Sequence, residues 1–208
     1  MLAFGSYAIV VIGASRGGVE ALNTLVGGLS SDIPAALFVV QHIGPHPSCL
    51  PEILSRAGPL PAMHAVQAQT ITPGQIYIAP PDHHLLLKAK SMTLSRGPRV
   101  NWARPAIDPL FRSAAAVYGP AVIGVILTGG LNDGTAGLKA VRDAGGSAVV
   151  QDPADALCPE MPASALHHVG ADHCISLRDM PLLLNHLVKE FASKSEDRPF
   201  AARWRTNP

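Results

Sequence analysis

The sequence predicts an α/β fold: a single doubly wound domain with a mainly parallel sheet, flanking helices and a short antiparallel insertion. Three observations predict it. Short β-branched runs alternate with helical patterns, the signature of βαβ units. Three of those runs, "YAIVVI", "AALFVVQ" and "AVIGVILT", are nearly continuous in apolar residues, as strands covered on both faces are. The 208 residues are 48% hydrophobic and 15% charged, which suits one domain with a sizeable core.

Each element follows in order. "YAIVVI" (7–12) reads as the first strand and leads into a helix at about 17–28. "AALFVVQ" (35–41) is the second strand, followed by the Pro-punctuated "HIGPHPSC" and a short helix near 48–57. In the middle, "QIYIAP" (75–80), "HLLLKA" (84–89) and "SMTLSR" (91–96) are short strands split by turns, and suggest the antiparallel insertion. "RPAIDPLFRSAAAVYG" (104–119) is helical, with Pro105 acceptable near its start. "AVIGVILT" (121–128) is the clearest buried strand, and "NDGTAGLKAVRDAGG" (132–146) a helix with a Gly-Gly stop. "SAVVQD" (147–152), a helix near 162–169, "DHCISL" (172–177) and a helix near 179–192 complete the series. Residues 193–208 read as a polar tail, disordered or lightly docked, so the domain is expected to span 1–192.

Composition excludes several classes. Lys+Arg 16 against Asp+Glu 15 leaves a net charge of +1, with no electrostatic footprint for nucleic acid and no basic run for a membrane surface. No apolar run approaches the ~20 residues of a membrane span, and "MLAFGSYAIVV" lacks a basic n-region. Cys49, Cys158 and Cys174 are odd in number and widely spaced, which fits buried free thiols and a cytoplasmic location.

The turn "GASRGG" after the first strand admits two uses. As a dinucleotide cradle it fails: Ser15 takes the place of the second glycine, and Val19 stands where a short-chain dehydrogenase needs a third. The second strand ends in "VVQH" rather than in an acidic residue for ribose, and no Tyr-x-x-x-Lys is present. As Gly13-Ala14-Ser15-Arg16-Gly17 it fits G-x-S-x-G, a strand–turn–helix elbow that exposes a serine nucleophile. Ser15 as an ordinary helix cap is the competing use.

A nucleophilic serine needs a base and a carboxylate. Of nine histidines, His42 ends the second strand, where a doubly wound sheet places its site. His46 in the same loop is its rival, and the adjacent pairs His83–His84 and His167–His168 are expected to diverge. Asp133 follows the clearest buried strand, although Asn132 and Asp133 would also serve as ordinary helix caps. Asp82, Asp108 and Asp152 are the alternatives. The cluster Asp82-His83-His84 lacks recognised metal-ligand spacing. No cofactor and no metal are expected.

With these segments assembled, the chain resembles the catalytic domain of the chemotaxis protein-glutamate methylesterases (CheB). The resemblance rests on "IGASRGGVEAL", "VVQHIGPH", "PGQIYIAPPDHHL", "RPAIDPLFRSAA", "GVILTGGLNDGTAGLKAVRDAGG" and "AVVQDPADALCPEMPASAL", collinear over about residues 5–190. It implies a carboxylic-ester hydrolase that removes the γ-methyl ester from glutamates on the cytoplasmic helices of chemoreceptors, and that can deamidate receptor glutamines. By resemblance the nucleophile falls on Ser15, the base on His42 and the aspartate on Asp133. The oxyanion and substrate pocket is expected from Arg16, Gly17, Gly130, Leu131 and Met161.

Three departures concern that pocket. Arg16 replaces a small hydroxyl residue, "TGGLNDG" replaces "TGMGNDG", and Glu160 replaces the glycine before Met161. Typical members also carry an N-terminal receiver domain of about 120 residues, an ordinary domain size. Here the matching strand begins at about residue 7, so regulation is expected from a separate receiver protein or not at all. An esterase or amidase acting on another protein, and a scaffold without useful activity, are the alternative functions.

Overall fold

The computed structural model describes residues 7–196. The chain runs β1 (Ala8–Ala14), α1 (Gly18–Gly27), β2 (Ala35–Gln41), α2 (Leu50–Ala57), β3 (Ala62–His64), β4 (Ile76–Ile78), β5 (His84–Lys88) and β6 (Ser91–Ser95). It continues through α3 (Ile107–Tyr118), β7 (Val122–Ile126), α4 (Thr135–Asp143), β8 (Ser147–Gln151), α5 (Glu160–His168), β9 (His173–Ile175) and α6 (Met180–Glu196). A seven-stranded sheet has the order β3-β4-β2-β1-β7-β8-β9, and every pairing in it is parallel. Strands β5 and β6 form a separate antiparallel pair.

Period-2 alternation sorts the side chains of β1 between two cores. Ile9 and Val11 face a layer built with Leu110 and Phe111 of α3, Leu138 of α4 and Ala165 of α5. Val10 and Ile12 face the opposite layer with Leu22 and Leu25 of α1, Leu54 of α2 and Leu184 of α6. Both faces are therefore dry, which explains the unbroken apolar run. Phe38 of β2 stacks on Tyr77 of β4 at 5.3 Å between centroids, both fully buried.

Central β1 pairs with β2 on one side and β7 on the other, so successive connections leave it in opposite directions. The crevice at its carboxyl end is the topological switch point of the sheet.

Several boundaries differ from the sequence reading. "QIYIAP" holds β4, which pairs in parallel with β2 and β3 rather than joining the antiparallel insertion. The three-residue β3 carried no β-branched run and went unread. Pro105 lies outside α3, in a cis peptide with Arg104. Helix α4 starts at Thr135, with Gly134 as its cap in a left-handed conformation, so neither Asn132 nor Asp133 caps it. Helix α6 extends to Glu196, four residues into the segment 193–208; the rest of that segment lies outside the described residues. Of the three free cysteines only Cys158 is buried. Among the described residues, no helix is long and apolar enough to cross a membrane.

Candidate active site

Three strand ends converge at the switch point. Ser15 directly follows β1, its N–H donating to the Thr128 carbonyl beyond β7 at 3.0 Å. His42 directly follows β2 and its N–H donates to the Ala14 carbonyl at 3.0 Å, one rung further along the parallel ladder. Asp133 ends the loop between β7 and α4.

The glycines around Ser15 answer to two needs. Gly17 has φ +74, a conformation L side chains rarely adopt, and this turns the chain into α1. Gly13 lies against Ile107, whose side-chain carbons would sit 2.5–3.0 Å from an added Cβ. Gly129 permits another close approach: a Cβ there would collide with Met161 and lie 2.8 Å from the Ser15 Cβ.

Ser15 Oγ lies 3.2 Å from His42 Nδ1, and His42 Nε2 lies 2.8 Å from Asp133 Oδ2. The carboxylate accepts the Nε2 proton, so the Nδ1 lone pair faces the serine hydroxyl. His42 is 20% exposed and Asp133 only 3%.

Asp133 is held from several sides. Its Oδ2 also accepts the Ile107 N–H at 2.7 Å; its Oδ1 accepts the Asp108 N–H at 3.2 Å, the Gly134 N–H at 2.9 Å and Asn101 Nδ2 at 2.7 Å. Ile107 and Asp108 open α3, so the carboxylate occupies the positive end of that helix, whose first N–H groups lack intrahelical acceptors. Burial pushes the Asp133 carboxyl upward, but the hydrogen bonds from His42, Ile107 and Asn101 outweigh it and leave its pKa lowered.

A cavity of about 390 Å³ opens over Ser15. Arg16, Gly130 and Leu131 line it with Ser15, His42 and Asp133. Gly17 and Met161 do not. Gly17 is turned toward Leu157, and Met161 is fully buried beneath Gly129, because the missing Cβ of that glycine lets the methionine fill the space from below. The N–H groups of Arg16 and Gly130 have no acceptor among the described residues. Both sit in a braced frame: Thr128 Oγ1 donates to the Arg16 carbonyl at 3.0 Å and accepts the Cys158 N–H at 2.8 Å. Gly129 N–H donates to the Cys158 carbonyl at 2.9 Å.

The other candidates have separate employment. His46 is exposed and outside the cavity lining. Asp82 pairs with Arg104 at 2.6 Å, His83 Nδ1 faces the Pro81 carbonyl, and His84 Nε2 faces the Pro98 carbonyl. No group of three potential metal ligands exists among the described residues. His167 and His168 meet edge-on, 4.6 Å between centroids, rather than diverging. Asp152 accepts the Ala154 N–H in its own turn. Asp108 is buried and one step away, joined to Asp133 through Asn101, whose Nδ2 also reaches Asp108 Oδ2 at 2.9 Å.

Sequence reasoning missed Asn101 and Trp102, which line the cavity from the loop between β6 and α3, and Thr128, which braces it. "VNWARP" carries no periodicity, and its one signal is an aromatic residue in a Pro-flanked loop.

Comparison with known proteins places this geometry in a family. Residues 10–184 match the family model described as CheB methylesterase. A Leptospira interrogans protein provisionally named protein-glutamate methylesterase/protein-glutamine glutaminase is 40% identical over 184 residues, covering 88% of this chain and 95% of that protein. A Maricaulis maris protein-glutamate methylesterase/protein-glutamine glutaminase is 34% identical over 177 residues, 83% of this chain and 44% of its own length. The crystal structure of the Thermotoga maritima CheB methylesterase catalytic domain superposes with a TM-score of 0.85 at 35% identity, covering 88% of this chain and 99% of that one.

Proposed function

Because the chain belongs to the CheB methylesterase family, we propose that it is a protein-glutamate methylesterase, acting in the cytoplasm through Ser15, His42 and Asp133. The observation that carries this reading is the continuous Ser15–His42–Asp133 hydrogen-bond chain at the switch point of the sheet. Methylated glutamates on the cytoplasmic helices of chemoreceptors, or another glutamyl-methyl-ester protein, are the substrates. Residues 1–192 are the proposed catalytic domain.

His42 Nδ1 takes the hydroxyl proton as Ser15 Oγ attacks the ester carbonyl. Asp133 fixes the ring and balances the imidazolium that forms. The N–H groups of Arg16 and Gly130, both without acceptors among the described residues, are the oxyanion donors; one such donor is worth about 3–4 kcal/mol in a comparable site. Collapse of the tetrahedral species expels methoxide, which leaves as methanol with the proton from His42. Water activated by the same nitrogen then releases the glutamate carboxylate and restores Ser15. A glutamine amide entering the same cycle would release ammonia, which is the deamidase activity.

Ser15→Ala should abolish methanol release from methylated chemoreceptor membranes while leaving the thermal midpoint unchanged. Wild-type turnover in that variant would overturn the assignment of the nucleophile.

A further inference from the structure

Strained backbone and exposed apolar surface coincide at two places in this molecule. Among the described residues, six residues other than glycine have positive φ, and six large apolar side chains are exposed. Only Trp102 and Leu131 belong to both sets. Trp102 has φ +63 and is 89% exposed; Leu131 has φ +62 and is 68% exposed. A left-handed backbone is unfavourable for a bulky side chain and persists only where neighbouring structure enforces it. Both residues line the cavity over Ser15.

Leu131 is held there by a carboxylate, and Trp102 by a two-residue turn closed between Val100 and Ala103. The Leu131 N–H donates to Glu160 Oε2 at 2.7 Å, and Glu160 itself opens α5, where an acidic side chain is favoured. Asn101 at φ +49 and Trp102 are the central residues of that turn, in which the Val100 N–H donates to the Ala103 carbonyl at 3.1 Å and the Ala103 N–H to the Val100 carbonyl at 2.9 Å; the Asn101 amide is further pinned between Asp133 and Asp108. The fold thus spends strain to present an indole and an isobutyl group outward beside the nucleophile, where burial would have been the more favourable fate of each. Trp102 also walls an adjoining cavity of about 340 Å³ that shares His42. The cavity over Ser15 further holds Arg16, exposed, whose guanidinium has no hydrogen-bond or ion-pair partner among the described residues.

We propose that Trp102 and Leu131 form an apolar clamp for the polypeptide flanking the scissile ester, with Arg16 selecting segments that carry a carboxylate beside it. The occupant is a protein segment with an apolar side chain next to the modified glutamate and an acidic neighbour for Arg16. The inference rests on the methylesterase reading and deepens it: the clamp grips what surrounds the glutamyl ester, not the ester itself.

Glycine adopts positive φ freely, so Trp102→Gly and Leu131→Gly remove the side chains without adding strain. The test compares methanol release from two substrates, methylated chemoreceptor membranes and an N-acetyl glutamate γ-methyl ester amide that has no flanking segment. In the double glycine variant the ratio of kcat/KM for receptor over capped ester should fall by about tenfold or more, mainly through KM, with the thermal midpoint kept or raised. Arg16→Glu should lower the same ratio. An unchanged ratio, or a fall in thermal midpoint with equal loss on both substrates, overturns the clamp and makes the two residues structural. A wild-type protein that hydrolyses neither substrate overturns the esterase reading, and this inference with it.

Discussion

Asn101 is a side chain whose removal should test the site most directly, because its one amide nitrogen touches both Asp133 and Asp108. It contacts no reacting atom; it is a positioning residue that holds the carboxylate which in turn holds His42. Asn101→Gly deletes the amide while suiting the left-handed backbone at φ +49. It should lower kcat on the order of tenfold to a hundredfold, a range set by small misplacements of a catalytic group, and leave KM nearly unchanged. Asn101→Asp would bring a third carboxylate against two others, so its defect should deepen as pH rises and ease on acidification. Steady-state kinetics of both variants between pH 5 and pH 9, taken as about the working range of such a site, would decide the point. Arg16 and Met161 teach a complementary lesson. Adjacency to a motif placed Arg16 in the cavity, whereas Met161 lies buried beneath Gly129, since spacing along the chain says nothing about which side of a loop a residue occupies.

At the scale of elements, α3 links the scaffold to the chemistry. Its first N–H groups fix Asp133, and its position is set by close contact with α4 at Gly137. An added Cβ there would stand 2.6 Å from Phe111 Cβ and 3.1 Å from Asp108 Cα. Gly137→Ala should therefore destabilise by about 1–3 kcal/mol, the usual cost of overpacking, even though alanine is the better helix former. Urea denaturation would measure that loss. The same variant should lose activity out of proportion to the fraction unfolded, because displacing α3 moves the N–H groups that orient Asp133. Activity retained in full by the folded fraction would show that α3 can shift without disturbing the site. The sequence reading found this helix and its neighbour within a few residues, because both carry apolar residues at helical spacing. The competing use it left for Asp133, a cap on the helix that follows, is not what the fold adopts: the carboxylate accepts the first N–H groups of α3. A cap is read from local spacing, whereas the helix that Asp133 serves begins 26 residues earlier in the chain.

For the whole molecule, the buried carboxylate couples folding to pH. The Asp133 pKa is lowered from its ordinary value of 3.8, so the folded protein binds fewer protons there than the unfolded chain does. The stabilisation is present in full above 3.8 and is lost as pH falls through the depressed folded value. Asp133→Asn should flatten that part of the acid limb, as read from urea midpoints between pH 6 and pH 2, over about the range in which carboxylates titrate. An acid limb of equal slope in the variant would assign the loss to other groups. The alternation of apolar runs with helical stripes, the glycines at the serine elbow and the ends of three buried strands were all readable from the chain, because each depends on residues close in sequence. They suffice to name a parallel α/β sheet and to bring Ser15, His42 and Asp133 under suspicion together. Folding alone decided the rest: β4 pairs with β2 rather than with its neighbours in sequence, Asn101 bridges two carboxylates, and Trp102 and Leu131 face outward around the cavity. Those outcomes depend on contacts between distant segments, and local propensity carries no record of them.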